Sequence, residues 1–257
     1  MILIVYVRML FLQYNLYDYQ TIHRGIDKNF LSESIQLIVN YHAHYSNYYI
    51  HKYKYELDII LLDDAGQGEQ LFPNLDHQYT EFFYASFQMD ITKNNRKKGV
   101  ILLNVEYIYE EAINMYYFIE TLMLFFLAHE IQHYIQCEYL NIKRYYKLLS
   151  IERKNYDLQD EQQRNSFYIN SSLENDANFF AYNFIKNCDF DSNHPSFNDS
   201  LLGDIEIFCQ RYFPNAIPHD ALNGNKAFER IKTTKKVDYG LKIIFSLMAL
   251  YFLTNFF

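Results

Sequence analysis

The chain has 257 residues, 50% of them apolar, and 31 acidic against 23 basic side chains give it a net charge of −8. With no long basic run, nothing in it draws a phosphate backbone, which argues against nucleic-acid binding. Three cysteines (Cys137, Cys188, Cys209) with no Cys-x-x-Cys pair argue against a disulfide framework, and only 7 Gly and 4 Pro argue against a many-turned β-sandwich.

What remains is one domain over 1–257, mainly helical, in a reducing compartment, with the cytoplasm as the expected location. Met1 to Leu12 is apolar but has neither a basic region ahead of it nor a small-residue cleavage site, so it reads as a buried strand or helix rather than a signal peptide. Asp18 to Asn29 is polar. Phe30, Ile35, Leu37, Ile38 and Tyr41 then recur at helical spacing and predict a helix to about Ser46. His42 and His44 near its end diverge on a helix and read as structural or surface histidines.

Tyr53 to Leu62 has the apolar, β-prone character of a strand and is closed by the turn Asp63 to Gly68. Thr80 to Met89 and Gly99 to Ile108 predict a hairpin around the polar turn Thr92 to Lys98. Within its second strand, Val100 to Val105 is expected to present an edge on which an extended peptide can pair.

Glu110 to about Cys137 contains no Gly or Pro and predicts one long helix, with Ile113, Tyr117, Leu124 and Leu127 among its core positions. A second helix is expected over Tyr139 to Leu149, and Ile151 to Ser166 reads as a polar connection. Ser171-Ser172-Leu173-Glu174 opens a further helix whose apolar stripe is Leu173, Ala177, Phe180, Ala181, Phe184 and Ile185. A polar loop over Asp189 to Asn198 follows, then a helix from Asp199 to Tyr212, then breaks at Pro214 and Pro218 before His219. Leu241 to Phe257 is interrupted only by Lys242, Ser246, Thr254 and Asn255, near the lower length limit for crossing a bilayer. It reads as a core-packed terminal helix, with a membrane tail anchor as the alternative.

The chemistry sits in the long helix. His129-Glu130-Ile131-Gln132-His133 places two histidines one turn apart on one helical face, where two imidazole nitrogens can bind one zinc ion. Glu130 beside them is placed to accept a proton from an attacking water. A catalytic zinc takes three protein ligands, and the third is expected from Glu174, followed at i+3 and i+7 by Ala177 and Ala181. Small side chains on that line let two helices approach closely. Asp176 is the other carboxylate on the same helix. Ser171-x-x-Glu174 also fits a capping box, in which Glu174 accepts the cap residue's N–H instead of serving a metal.

His129-Glu130-x-x-His133 followed by Glu174-x-x-Ala177-Asn178-x-Phe180-Ala181 resembles the gluzincin pattern of zinc metallopeptidases, most closely the ImmA/IrrE-type peptidases. Pro218-His219 and Phe228-Glu229-Arg230-Ile231 are distantly similar to stretches of the Lit-type phage-exclusion and CaaX-processing peptidases. The resemblance implies a zincin-like α+β fold, mainly helical, with a small N-terminal mixed or antiparallel sheet before the active-site helix. It also implies a protease acting on a peptide or protein substrate, with Zn2+ on His129, His133 and Glu174 and catalysis by Glu130. For stabilising the oxyanion, His219, Arg230 and several tyrosines are open candidates. A second class is a catalytically silent protein that keeps the fold and acts by binding a partner.

Overall fold

A computed structural model of the chain describes residues 14–19, 28–45, 54–62, 84–91, 97–117, 119–157, 160–187, 199–212 and 231–233. In chain order the elements are β1 (Tyr14–Tyr19), α1 (Lys28–Tyr45), β2 (Glu56–Leu62), β3 (Ala85–Ile91), β4 (Lys97–Asn104), α2 (Val105–Met115), α3 (Ile119–Leu140), α4 (Ile142–Arg153), α5 (Glu161–Asn170), α6 (Ser172–Asn187) and α7 (Asp199–Tyr212). The fold is α+β and mostly helical, with one small mixed sheet ahead of α3. Strand order is β1-β2-β4-β3, with β1 and β4 parallel to β2 and β3 antiparallel to β4.

The register places Ile59 beside Ile101 and Leu61 beside Leu103, and these residues belong to the main core with the helices. On the alternate positions Ile60, Leu62, Val100 and Leu102 form a separate buried cluster. Strands buried on both faces read as continuous apolar runs, as Ile59-Ile60-Leu61-Leu62 and Val100-Ile101-Leu102-Leu103 do. One expectation is corrected here. The stretch Val100 to Val105 is not an edge, because β4 is paired on both sides and the edge next to it is β3. Val105 to Ile108 is also helix rather than strand, since the Asn104 side chain accepts the Tyr107 N–H and caps α2.

The predicted long helix is two helices. Tyr116 adopts φ 59°, ψ 34°, the left-handed conformation usually left to Gly or Asn, and its N–H and that of Tyr117 turn back to Ile113 and Ala112 carbonyls. Ile113, expected in the core, is 54% exposed beside that break. The helix after α3 begins later than expected, at Ile142, because Asn141 breaks the chain with φ 71° and caps α4 by accepting the Arg144 N–H. Most of the predicted polar connection Ile151 to Ser166 is ordered as the end of α4 and as α5, which Asp160 caps through the Gln163 N–H.

α3 is the centre of the fold. From Thr121 to Cys137 every side chain is buried, as in a helix with neighbours on all sides. Its end is tied to the sheet by Glu138, whose Oε1 accepts the N–H groups of Lys54 (2.6 Å) and Tyr55 (2.8 Å), while the Tyr134 hydroxyl donates to the Tyr55 carbonyl at 2.6 Å. Close approach of α3 to β4 requires Gly99. A Cβ there would lie 3.0 Å from the Tyr134 ring and 3.1 Å from the Leu57 side chain.

The α1 and α7 helices stand where the sequence predicts them. β1 was not anticipated. Its segment Tyr14-Asn15-Leu16-Tyr17-Asp18-Tyr19 carries two polar residues, and its strand conformation rests on pairing with β2. His42 is buried in α1 with its ring near Phe180, and burial lowers its pKa to about 3, so it is a neutral core residue. No described helix is long and apolar enough to cross a membrane. The segments Met1 to Leu12, Asp63 to Gly68, Asp189 to Asn198 and Leu241 to Phe257 lie outside the described residues.

Candidate metal centre

Helices α3 and α6 pack against each other and build the site between them. Ala177 and Ala181 on α6 are fully buried, as the small-residue line predicted. His129 Nε2 and His133 Nε2 face each other at 3.0 Å, and Glu174 Oε2 lies 3.3 Å from the first and 3.4 Å from the second. His129, His133 and Glu174 thus form a buried group able to hold a metal ion, and no other such group occurs among the described residues.

The donor set fits a metal better than it fits hydrogen bonding. Two imidazole nitrogens aimed at one another need a shared proton or a shared cation. Ligands about 2.0–2.1 Å from a tetrahedral zinc stand roughly 3.3–3.4 Å from each other, close to the sides of this triangle. Two imidazoles and one carboxylate are also ligand types that zinc takes, whereas calcium and magnesium sites are built from oxygen.

Both readings of Ser171-x-x-Glu174 hold in part. The Ser171 hydroxyl accepts the Glu174 N–H at 3.3 Å, which is one half of a capping box. The other half is missing, because the Ser171 N–H donates to the Phe167 carbonyl at 2.8 Å. The Glu174 carboxylate is therefore released toward the histidines. The start of α6 is held instead by the buried Glu152, whose carboxylate accepts from the Ser171 hydroxyl at 2.8 Å and from the N–H and hydroxyl of Ser172. A carboxylate at a helix N-terminus also meets the positive end of the helix dipole.

Asp176 is not part of the triangle. Its Oδ2 accepts N–H groups from the side-chain amides of Gln132 and Gln136, each at 2.8 Å. Gln136 Oε1 in turn lies 2.9 Å from His133 Nδ1. Sequence reasoning did not select these glutamines, although Gln132 and Gln136 share a helix face at i and i+4 and Gln136 stands three residues after His133. His129 Nδ1 is buried with no hydrogen-bond partner among the described residues.

Glu130 is adjacent to the triangle without belonging to it, its Oε1 3.9 Å from His129 Nε2. Burial raises its pKa, opposed by His129, by His133 and by the backbone N–H of Phe87 on β3. Tyr145 on α4 packs its ring edge-on to His133, centroids 6.4 Å apart, and against Phe87 at 5.9 Å. Burial, then the charges of Glu174 and other neighbours, hold its hydroxyl proton well above the ordinary tyrosine range. Tyr168 on α5 is held protonated by burial and by the same two carboxylates, Glu174 and Glu130. His219 and Arg230 lie outside the described residues.

Without a metal, His133 is cationic at neutral pH. Burial works to lower its pKa, but the Glu174 carboxylate overrides this and carries it from 6.5 to about 9. Glu174 moves the other way, well below the usual carboxylate range, because the charge of His133 outweighs burial. The pair stabilises the metal-free protein in full below pH 6.5, where unfolded His is also charged, and this contribution fades as pH rises through about 9. On the acid side it is lost as Glu174 protonates. Metal must displace the His133 proton, so binding at pH 7 should release about one proton, and affinity should rise with pH up to about 9. Calorimetry in buffers of different ionisation enthalpy reads both; no proton release would contradict this.

No protein-family model, curated protein or solved structure matches the chain.

Proposed function

We propose that the protein is a zinc-dependent metalloendopeptidase with a zincin-like fold, hydrolysing a peptide or protein substrate. The observation that carries the reading is the position of Glu130. It is a buried carboxylate beside a three-ligand metal group but outside it. A closed structural zinc takes four protein ligands, whereas three ligands leave a position for water, next to which a carboxylate serves as a base.

His129 and His133 would hold zinc through Nε2 and Glu174 through Oε2. When bound, zinc supplies Lewis acidity, lowering the pKa of water to about 7 and polarising a carbonyl. Glu130 accepts the proton of the attacking water and passes it to the leaving amine. Tyr145 is buried on α4 with its ring packed edge-on to His133, one of the grouped histidines. We assign Tyr145 the hydrogen bond to the developing oxyanion. Tyr145→Phe should leave zinc affinity unchanged and lower kcat by about 10²–10³-fold, which steady-state kinetics on a cleaved peptide would read.

One observation favours a second reading, a catalytically silent protein that acts by binding a partner. The two amides by which β3 would pair with a peptide near the site are engaged, Phe87 N–H with Glu130 and Met89 N–H with the Tyr146 hydroxyl at 3.0 Å. A peptide on this edge must displace them. Incubating the zinc-loaded protein with a peptide library separates the two: cleavage abolished by chelation supports the peptidase, and tightly bound zinc with no cleavage of any member supports the binding protein. Membrane attachment through Leu241 to Phe257 would change the substrate, not this chemistry.

A further inference from the structure

The Asp176 carboxylate is buried, 6% exposed, between α6 and α3, and its Oδ2 accepts one N–H from each of two glutamines a turn apart. Gln132 reaches only toward Asp176, whereas Gln136 also reaches His133 and the Leu173 carbonyl. Gln136 Nε2 donates twice, to Asp176 Oδ2 at 2.8 Å and to the Leu173 carbonyl at 3.0 Å. Neither a carboxylate nor a carbonyl can donate, so the amide cannot be turned end for end without setting its oxygen against two acceptors. Its Oε1 must therefore face His133, and at 2.9 Å it can only accept. In the neutral ring that a metal requires, His133 Nδ1 is then the protonated nitrogen, and the lone pair of Nε2 is directed into the metal group.

We propose that Asp176 is a positioning residue that sets the tautomer of His133 through Gln136, so that Nε2 is presented as a metal ligand. This rests on the metal-centre reading above. The same amide grips the Leu173 carbonyl and Asp176, which flank Glu174 in sequence, so one side chain of α3 orients a ligand on its own helix and holds the turn of α6 that carries the third. Hydrogen bonds of this kind to the far nitrogen of a ligating histidine change metal affinity by about 10–100-fold.

The test compares the full-length wild type with Asp176→Asn, Gln136→Leu and Gln132→Leu. Zinc affinity is measured by competition with a chelator, and circular dichroism checks that each variant is folded. Asp176→Asn and Gln136→Leu should weaken zinc binding by about 10–100-fold, while Gln132→Leu, which removes the matching hydrogen bond to Asp176 but no contact with His133, should stay within about 3-fold. NMR on the zinc-loaded proteins gives a second readout. A slowly exchanging His133 Nδ1–H proton should appear in wild type and Gln132→Leu and be missing in Gln136→Leu. Equal losses in Gln132→Leu and Gln136→Leu would reduce the network to a plain helix crosslink and overturn the proposal, as would wild-type affinity in Asp176→Asn. A wild type that binds no zinc would instead overturn the metal centre itself.

Discussion

Glu130→Gln should bind zinc as the wild type does and lose about 10²–10⁴-fold in kcat/KM on any peptide that the wild type cleaves. The substitution keeps the size of the side chain and can keep the contact with the Phe87 N–H, through the amide oxygen, but it removes the group that takes up a proton. Glu130 is not one of the three grouped ligands, so metal content should not follow activity. Parallel metal analysis and peptide kinetics would check this. A variant that retains wild-type turnover would remove Glu130 from the mechanism and return the site to a binding role.

Stripping the metal should lower thermal stability as strongly as it lowers activity. A ligand at 1,000 times its Kd stabilises the folded state by about 4 kcal/mol. For a chain of this length that corresponds to roughly 8–16 °C in Tm, taking 2–4 °C per kcal/mol. The site joins α3, at the centre of the core, to α6, which packs directly against it, so metal loss should be felt globally. Differential scanning calorimetry of chelated and zinc-loaded protein would read the shift. The metal-free protein should regain some stability when pH is lowered from 9 to 7, as His133 takes up its proton beside Glu174.

The residues of the candidate metal group were legible because the rules that select them are local. His129 and His133 meet through helical spacing alone, and Ala177 and Ala181 announce a close helix contact that brings Glu174 within reach. What frees the Glu174 carboxylate to face the histidines is not local: the Ser171 N–H is used by Phe167, and the helix start is held by Glu152, remote in sequence. The roles of Asp176 and Gln136 depend on the rotation of α6 about its axis, which the sequence pattern leaves free.

The fold was legible where periodicity is strong and obscure where a residue takes an unusual conformation. α1 follows its apolar spacing, α7 lies between the polar loop and the proline breaks that bound it in the sequence, and the hairpin of β3 and β4 follows its polar turn. The break at Tyr116 was hidden because a tyrosine rarely adopts positive φ; at Asn141 the residue type was a usable signal. That β4 is central could not be read from its own residues. A run such as Val100-Ile101-Leu102-Leu103 is apolar because both faces are buried, and its second neighbour, β2, lies far earlier in the chain.

Zinc content of the purified full-length protein, measured beside a Glu174→Ala variant, tests the centre most directly. One zinc per chain in the wild type and little or none in the folded variant is the expected result. Equal zinc in both, or none in the wild type, would contradict the assignment of His129, His133 and Glu174 as a zinc site.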